Sequence, residues 1–391
     1  MPNRDASLLR VRVLFCLLGA AESAFIPFIP LLLHDHGLDP QAIGAALALM
    51  SAVGFASGPL WGYLADRVLG RERALALCLV GTVGGAVLLS FAHGEAELVL
   101  TGSVLWLFRT PNMPLADALA LDRLGPHRRD AYGSVRLWMS AAFAVGAISF
   151  GGLIEAVGIG VMAPLYAAAT AVNALLVMLV FRGRWPRPIQ VAGAARSLRA
   201  VIAAPAFFLF LMAVFLWFAP YSAAYNFAAV RIAMLGGGAV FVGLAAGLQA
   251  AAEVPGMLVT KRLSRTLRPA HIFAAGAAFT VLVYVVWAVV NDPAALAAMR
   301  LVAGVGFGLT YVGTVLVTDE LVPARLRATG QAASKAVGFG LAPIVGSIGG
   351  GLVYGYLGPA ALFVSAAVLT AAAAVAARAA ETKRLAAIEQ A

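Results

Sequence analysis

Five ionisable side chains in or beside runs of sequence that are otherwise apolar are the first candidates for chemistry: Glu22, Arg109, Asp117, Arg136 and Glu253. A charge in hydrocarbon costs on the order of several kcal/mol, so it is rarely there without a use. A carboxylate at such a depth can take up and release a proton, and a guanidinium can hold an anionic or hydroxyl group. Three of the five fall between Arg109 and Ser140, beside the densest basic loop of the first half, Asp122 to Arg136. Glu22 lies about halfway along the first apolar run and Arg109 about halfway along the fourth, on helices running in opposite directions. At ~1.5 Å per residue both reach mid-membrane, where each neutralises the other. The same two residues can be a purely structural ion pair or a titrating carboxylate governed by its arginine. Glu253 is expected to be protonated at rest, as suits a proton carrier.

The elements that must position these groups follow from composition. Of 391 residues, 62% are hydrophobic and only 12% charged, with a mean hydropathy of +0.91. A soluble surface needs roughly 25% charged residues, so this chain presents apolar surface to lipid and is a multi-pass membrane protein. Cys16 and Cys78 both fall in apolar runs and build neither a disulfide framework nor a metal site. The N-terminal arginines precede an apolar run with no small-residue cleavage site at its end, which reads as a first span rather than a signal peptide.

Twelve apolar runs have the ~20 residues needed to cross a bilayer as helices. They lie at about 11–33, 41–65, 74–92, 97–120, 137–157, 160–181, 205–230, 239–260, 270–290, 295–317, 333–356 and 360–378. Lys and Arg concentrate in alternate connections, while the other turns, such as His34 to Pro40 and Asn291 to Pro293, are short and neutral or acidic. That asymmetry puts both termini in the cytoplasm, with the cell (inner) membrane as the site. It also explains the net charge of +10 as topology, since basic loops face anionic lipid, and it excludes nucleic acid as a partner. Only Arg109, Arg231 and Arg300 fall elsewhere. Arg231 is expected to snorkel to the interface.

The longest basic connection divides the spans six and six. The expected organisation is an N-terminal bundle (1–181), a cytoplasmic linker (182–204) and a C-terminal bundle (205–391). The halves carry a faint repeat: Asp122, Leu124, Pro126, Arg128, Ala131 and Gly133 match Asp319, Leu321, Pro323, Arg325, Ala328 and Gly330 at one constant spacing. Repeated bundles are a transporter architecture.

Between spans two and three run Gly62, Asp66, Arg67, Gly70, Arg71 and Arg73. With twelve spans, this loop resembles that of the major facilitator superfamily, except that Gly70 comes one residue late, which displaces Arg71. Asp66, Arg67 and Arg71 are the expected cytoplasmic gate. Three stretches narrow the resemblance to the lactose-permease and phenylpropionate/nucleoside proton-symporter branch. They are Ala24 to Asp35 with Pro27 and Pro30; Pro114 to Leu121 with Asp117, followed by Tyr132 to Ser140 with Arg136; and Gly247 to Pro255 with Glu253.

The resemblance implies that Asp117 and Arg136 pair and hold substrate, and that Glu253 couples to them and to the proton. It departs at Phe143, where lactose permease has a tryptophan, and on span ten, where Val305 to Val317 holds no ionisable side chain except Tyr311. Galactoside transport is therefore not expected. Further groups suited to line a solute path are Asn112, Trp217, Tyr221, Tyr225, Asn226, Gln249 and Tyr311; Tyr221, Tyr225 and Asn226 follow Pro220, where a broken turn would bare backbone. The glycine run Gly338 to Gly351 reads as close helix packing.

No nucleophile–base constellation, metal cluster or nucleotide signature is present in the sequence. Neither an enzyme nor an ATP-driven pump is expected, and no cofactor beyond the proton as coupling ion. The expectation is an all-α, two-bundle secondary transporter, monomeric, importing a small organic solute (sugar, nucleoside or aromatic acid) with protons by alternating access. A proton-antiport exporter of sugars, drugs or metabolites is the alternative; its marker, a Gly-Pro pair on span five, is missing between Val145 and Gly158. A non-transporting receptor or scaffold leaves the intramembrane charges unexplained.

Overall fold

Prolines and glycines mark where this chain starts, bends and stops its helices. The computed structural model describes residues 4–124, 132–181 and 202–389. The loop residues 125–131, with half of the repeated motif, and most of the expected linker (182–201) lie outside the described residues.

The first span is α1 (Arg4–Ser23), a 3-10 turn at Ile26–Phe28 and α2 (Ile29–Asp35). Pro27 and Pro30 lack the N–H groups an unbroken helix would need there. α3 (Pro40–Leu64) runs into a π-helical turn at Ala65–Leu69, and α4 (Arg71–Ser90) follows. The fourth span is α5 (Glu95–Arg109) and α6 (Asn112–Leu124), parted at Thr110-Pro111. α7 (Tyr132–Val157) and α8 (Met162–Val180) complete the first half. The second half comprises α9 (Pro205–Met234), α10 (Gly238–Leu263), α11 (Pro269–Val289), α12 (Pro293–Ala298), α13 (Arg300–Leu321), α14 (Arg327–Lys335) and α15 (Ala342–Glu389). Proline opens four of these fifteen helices, α3, α9, α11 and α12, where its missing N–H costs nothing.

Among the described residues there is no strand, and ten stretches are long and apolar enough to cross a membrane. The difference from twelve has two physical causes. The break before Pro111 leaves neither α5 nor α6 long enough alone. The last stretch, Ala324–Ala386, is 63 residues long, far more than one crossing needs, and the chain turns inside it at Gly358, whose φ of 86° favours glycine. The helices thus accommodate twelve crossings.

Contacts divide the chain into two compact units. The first comprises Met1–Leu38, Leu49–Ile189 and Gly236–Ala250. Within it α1 packs on α7 and α8, and α4 on α5 and α8, around Leu14, Phe15, Leu75, Cys78, Leu79 and Leu119. Cys78 thus serves as a small buried hydrophobe. The second comprises Asp39–Ala48, Gln190–Leu235 and Ala251–Ala391. There α9 packs on α15, and α11 on α13 and α15, around Phe207, Phe210, Trp217 and Phe273. Gly351 lies against the backbone of Pro40 and Gly44, and Gly350 against Ala223, so the glycine run does pack helices closely. Large apolar side chains such as Val145, Val375 and Tyr356 stay exposed, as a lipid-facing surface requires.

Candidate functional site

In the first unit the central feature is an ion pair built at two helix breaks. Glu22 stands in the last turn of α1, just before the proline-rich turn, and Arg109 is the last residue of α5, just before Pro111. An arginine suits a helix C-terminus and a glutamate does not, so Arg109 offsets what the α1 dipole costs Glu22. Arg109 donates to Glu22 Oε2 from Nε at 3.1 Å and from a terminal nitrogen at 2.5 Å. Glu22 Oε1 accepts from the Tyr166 hydroxyl at 3.0 Å. Tyr166 on α8 is buried and stacks on Phe25 with ring centroids 4.4 Å apart. Arg109 also lies over the Trp106 ring at 5.1 Å. Mid-span depth pointed to the pair; Tyr166 and Trp106 carry no charge, and nothing in the sequence marked them. Asn112, buried at the start of α6, donates to Thr82 Oγ1 at 3.0 Å.

Asp117 on α6 and Arg136 on α7 form a second pair, with an N–O distance of 3.2 Å. Its side chains are 33% and 44% exposed, against 12% and 18% for Glu22 and Arg109, so solvent screens it far more. Phe143 is half-buried further along α7, and Gln249 is buried on α10.

Arg71 Nε lies 3.5 Å from Asp66 Oδ1, and a terminal nitrogen donates to Asp122 Oδ2 at 2.7 Å. The late position of Gly70 is absorbed by the π-helical turn at Ala65–Leu69, which takes up one extra residue per turn. Gly70 then reverses the chain with φ 80°, and Arg71 still reaches Asp66. Arg67 lies over Tyr63 at 5.5 Å. Asp122, and a neighbouring ion pair between Arg123 and Glu72, join this cluster; their basic and acidic types read from sequence only as loop charge.

In the second unit Arg300 is the buried cation. It is 4% exposed, at the start of α13. Its guanidinium sits 4.4 Å from the Tyr225 ring and 4.9 Å from the Trp287 ring and donates to the Tyr225 carbonyl at 3.0 Å. Glu253, half-buried on α10, acts electrostatically on Arg300, Tyr221 and Tyr225. The backbones of α10 and α13 cross closely here: a Cβ on Gly308 would stand 2.7 Å from the Glu253 carbonyl oxygen. Tyr221 stacks on Trp217 at 4.8 Å and lies 5.3 Å from Phe307, which stacks on Tyr311 at 5.9 Å. α9 stays helical through Pro220, so no broken turn bares backbone there. Asn226 is half-buried beside Tyr225. Arg231 donates to Asn291 Oδ1 at 2.5 Å. Tyr284 and Trp287 share one face of α11 at i, i+3 spacing, the signal that would have exposed an aromatic wall for Arg300.

The arrangement offers two sets of intramembrane charges with aromatic surroundings, and among the described residues no group of His, Cys, Asp and Glu able to hold a metal ion. The chain matches the MFS_1 like family over residues 8–365. It is 28% identical over 330 residues to a maltose permease of Geobacillus stearothermophilus, covering 84% of this chain and 82% of the relative. It is 28% identical over 358 residues to a probable 3-phenylpropionic acid transporter of Escherichia coli (strain K12), covering 88% and 90%. Among solved structures, a mutant of the nucleoside transporter NupG superposes with a TM-score of 0.83 at 16% identity, covering 96% of this chain and 99% of that one. A peptide transporter mutant, POT, bound to alafosfalin gives 0.75 at 15% identity, covering 98% and 99%. A match of that extent, on a chain of crossing helices with charges kept inside them, shows that the protein belongs to the MFS_1 like family and is a secondary transporter of the major facilitator type.

Proposed function

We propose that this transporter couples entry of a small organic solute to protons, with an aromatic acid or a sugar as the solute. The observation that carries the reading is Arg300, a buried cation between two aromatic faces and within electrostatic reach of Glu253. While Glu253 is ionised it competes with an anionic solute for the field of Arg300; a proton on Glu253 removes the competitor. Proton and solute then favour the same state, which is the thermodynamic requirement for symport. The half-buried rings of Tyr221, Phe307 and Tyr311, backed by the buried Trp217, offer faces to a ring or a sugar. The relatives named for maltose and 3-phenylpropionic acid support the same two solute classes. Glu22 and Asp117 are the other candidate proton sites, with Arg109 and Arg136 as their partners.

The reading carries with it a monomer in the cell (inner) membrane with both termini cytoplasmic, six spans in each half, and no cofactor besides the proton. It is tested in proteoliposomes by adding maltose, 3-phenylpropionate or a nucleoside outside while following internal pH. Solute-dependent acidification of the lumen is the expected result. Alkalinisation would make the protein an exchanger, and absence of flux with all three would exclude these solutes.

A further inference from the structure

The second unit also holds a pocket of about 480 Å³ far from the aromatic cluster in sequence, lined by Thr266, Arg268, His271, Arg378, Glu381 and Thr382 together with two leucines. We infer that this pocket binds a phosphate ester, supplied by the headgroup of an anionic membrane lipid.

Charge is the first reason. Arg268 and Arg378 are both exposed and unopposed by any carboxylate but Glu381 in the lining. Glu381 is buried, and its Oε2 stands 3.6 Å from His271 Nδ1, an ion-pair distance when the imidazole is protonated. The acid is thus matched by His271, and the two arginines remain available to an outside anion. The positive end of α11, which begins at Pro269, adds to the field.

Depth is the second reason. The apolar span of α11 starts at Pro269, one residue after Arg268. On α15, Arg378, Glu381 and Thr382 follow the buried Ala373 and Ala377 and lie where its apolar run gives way to polar sequence. Both walls of the pocket therefore pass from apolar to basic at the level where lipid phosphates lie. Two arginines with hydroxyl neighbours suit a phosphate geometrically, and basic pockets between helix ends at this level suit anionic headgroups.

The test uses the full chain in nanodiscs containing phosphatidylglycerol and phosphatidylcholine in equal amounts, with retained lipid read by native mass spectrometry. In parallel, inorganic phosphate is titrated into the detergent-solubilised protein and thermal unfolding is followed. Phosphatidylglycerol retention should fall about fivefold for Arg268→Gln or Arg378→Gln alone and about 30-fold for both together. Arg265→Gln, outside the pocket, should leave it unchanged. The pair Arg268→Lys and Arg378→Lys should keep most of it, which separates loss of charge from loss of fold. A phosphate-dependent rise in Tm of the unaltered chain but not of the Gln pair, without lipid preference, would support the site and assign it to a soluble phosphate. Equal lipid retention in the unaltered chain and both single Gln variants, with no response to phosphate, would overturn the inference.

Discussion

Glu22 gives one carboxylate oxygen to Arg109 and the other to Tyr166, so each oxygen has its own donor, at 2.5 Å and 3.0 Å. Removing one member of a buried pair strands the other charge. Glu22→Gln and Arg109→Gln should each lower stability by about 3–5 kcal/mol, and the double change by less than their sum. Thermal unfolding of the four proteins in one detergent measures this, and simple additivity would show that the two are not coupled.

The Arg71 bridge to Asp66 and Asp122 is partly exposed, so its worth to stability is small, within about 1 kcal/mol. Arg71→Gln should leave Tm nearly unchanged and slow solute flux several-fold, because the bridge ties two connecting segments rather than a core. Exchanging charges in Arg71→Asp with Asp122→Arg should restore part of the flux. Flux that stays at the level of the unaltered chain in Arg71→Gln would remove the bridge from the transport cycle.

How much of this was legible beforehand differs between the two units. The crossing helices followed from apolar run length alone, and the Glu22–Arg109 pair from depth, because charges in lipid have few options. Tyr166 did not, since a tyrosine in an apolar run has no pattern that separates a hydrogen-bonding partner from packing. Arg300 read only as an arginine outside the basic connections because sequence depth gives no azimuth: the aromatic box comes from Tyr225 and Trp287 on two other helices. The late Gly70 suggested a displaced Arg71, and the π-helical turn that corrects for it has no sequence signature of its own.

Glu253→Gln removes the proton site proposed above while keeping shape. It should abolish uphill accumulation and spare exchange of solute across the membrane, as measured by counterflow in proteoliposomes. Uphill activity at the level of the unaltered chain would exclude Glu253 from coupling.

Adjacent glycines on α7 give opposite expectations. A Cβ on Gly151 would stand 2.8 Å from the Ala239 carbonyl oxygen and 3.0 Å from Gly243 Cα, whereas one on Gly152 would meet nothing within 4 Å. Gly151→Ala should therefore destabilise by about 1–3 kcal/mol through overpacking. Gly152→Ala should gain up to about 1 kcal/mol from helix propensity. Thermal unfolding distinguishes them, and equal shifts for both would mean that the close crossing of α7 with the start of α10 is not tight in solution.

At Gly358-Pro359 the chain passes from one crossing to the next with no connecting segment, only a single residue outside helical geometry. A long loop would let its two flanking helices drift apart like beads on a string. Here no slack exists, so a tilt imposed on the stretch before Gly358 must be handed directly to the stretch after it. The last two crossings therefore share a single elbow, one arm packed at Gly351 against Pro40 and Gly44, the other carrying Arg378 and Glu381 toward its end.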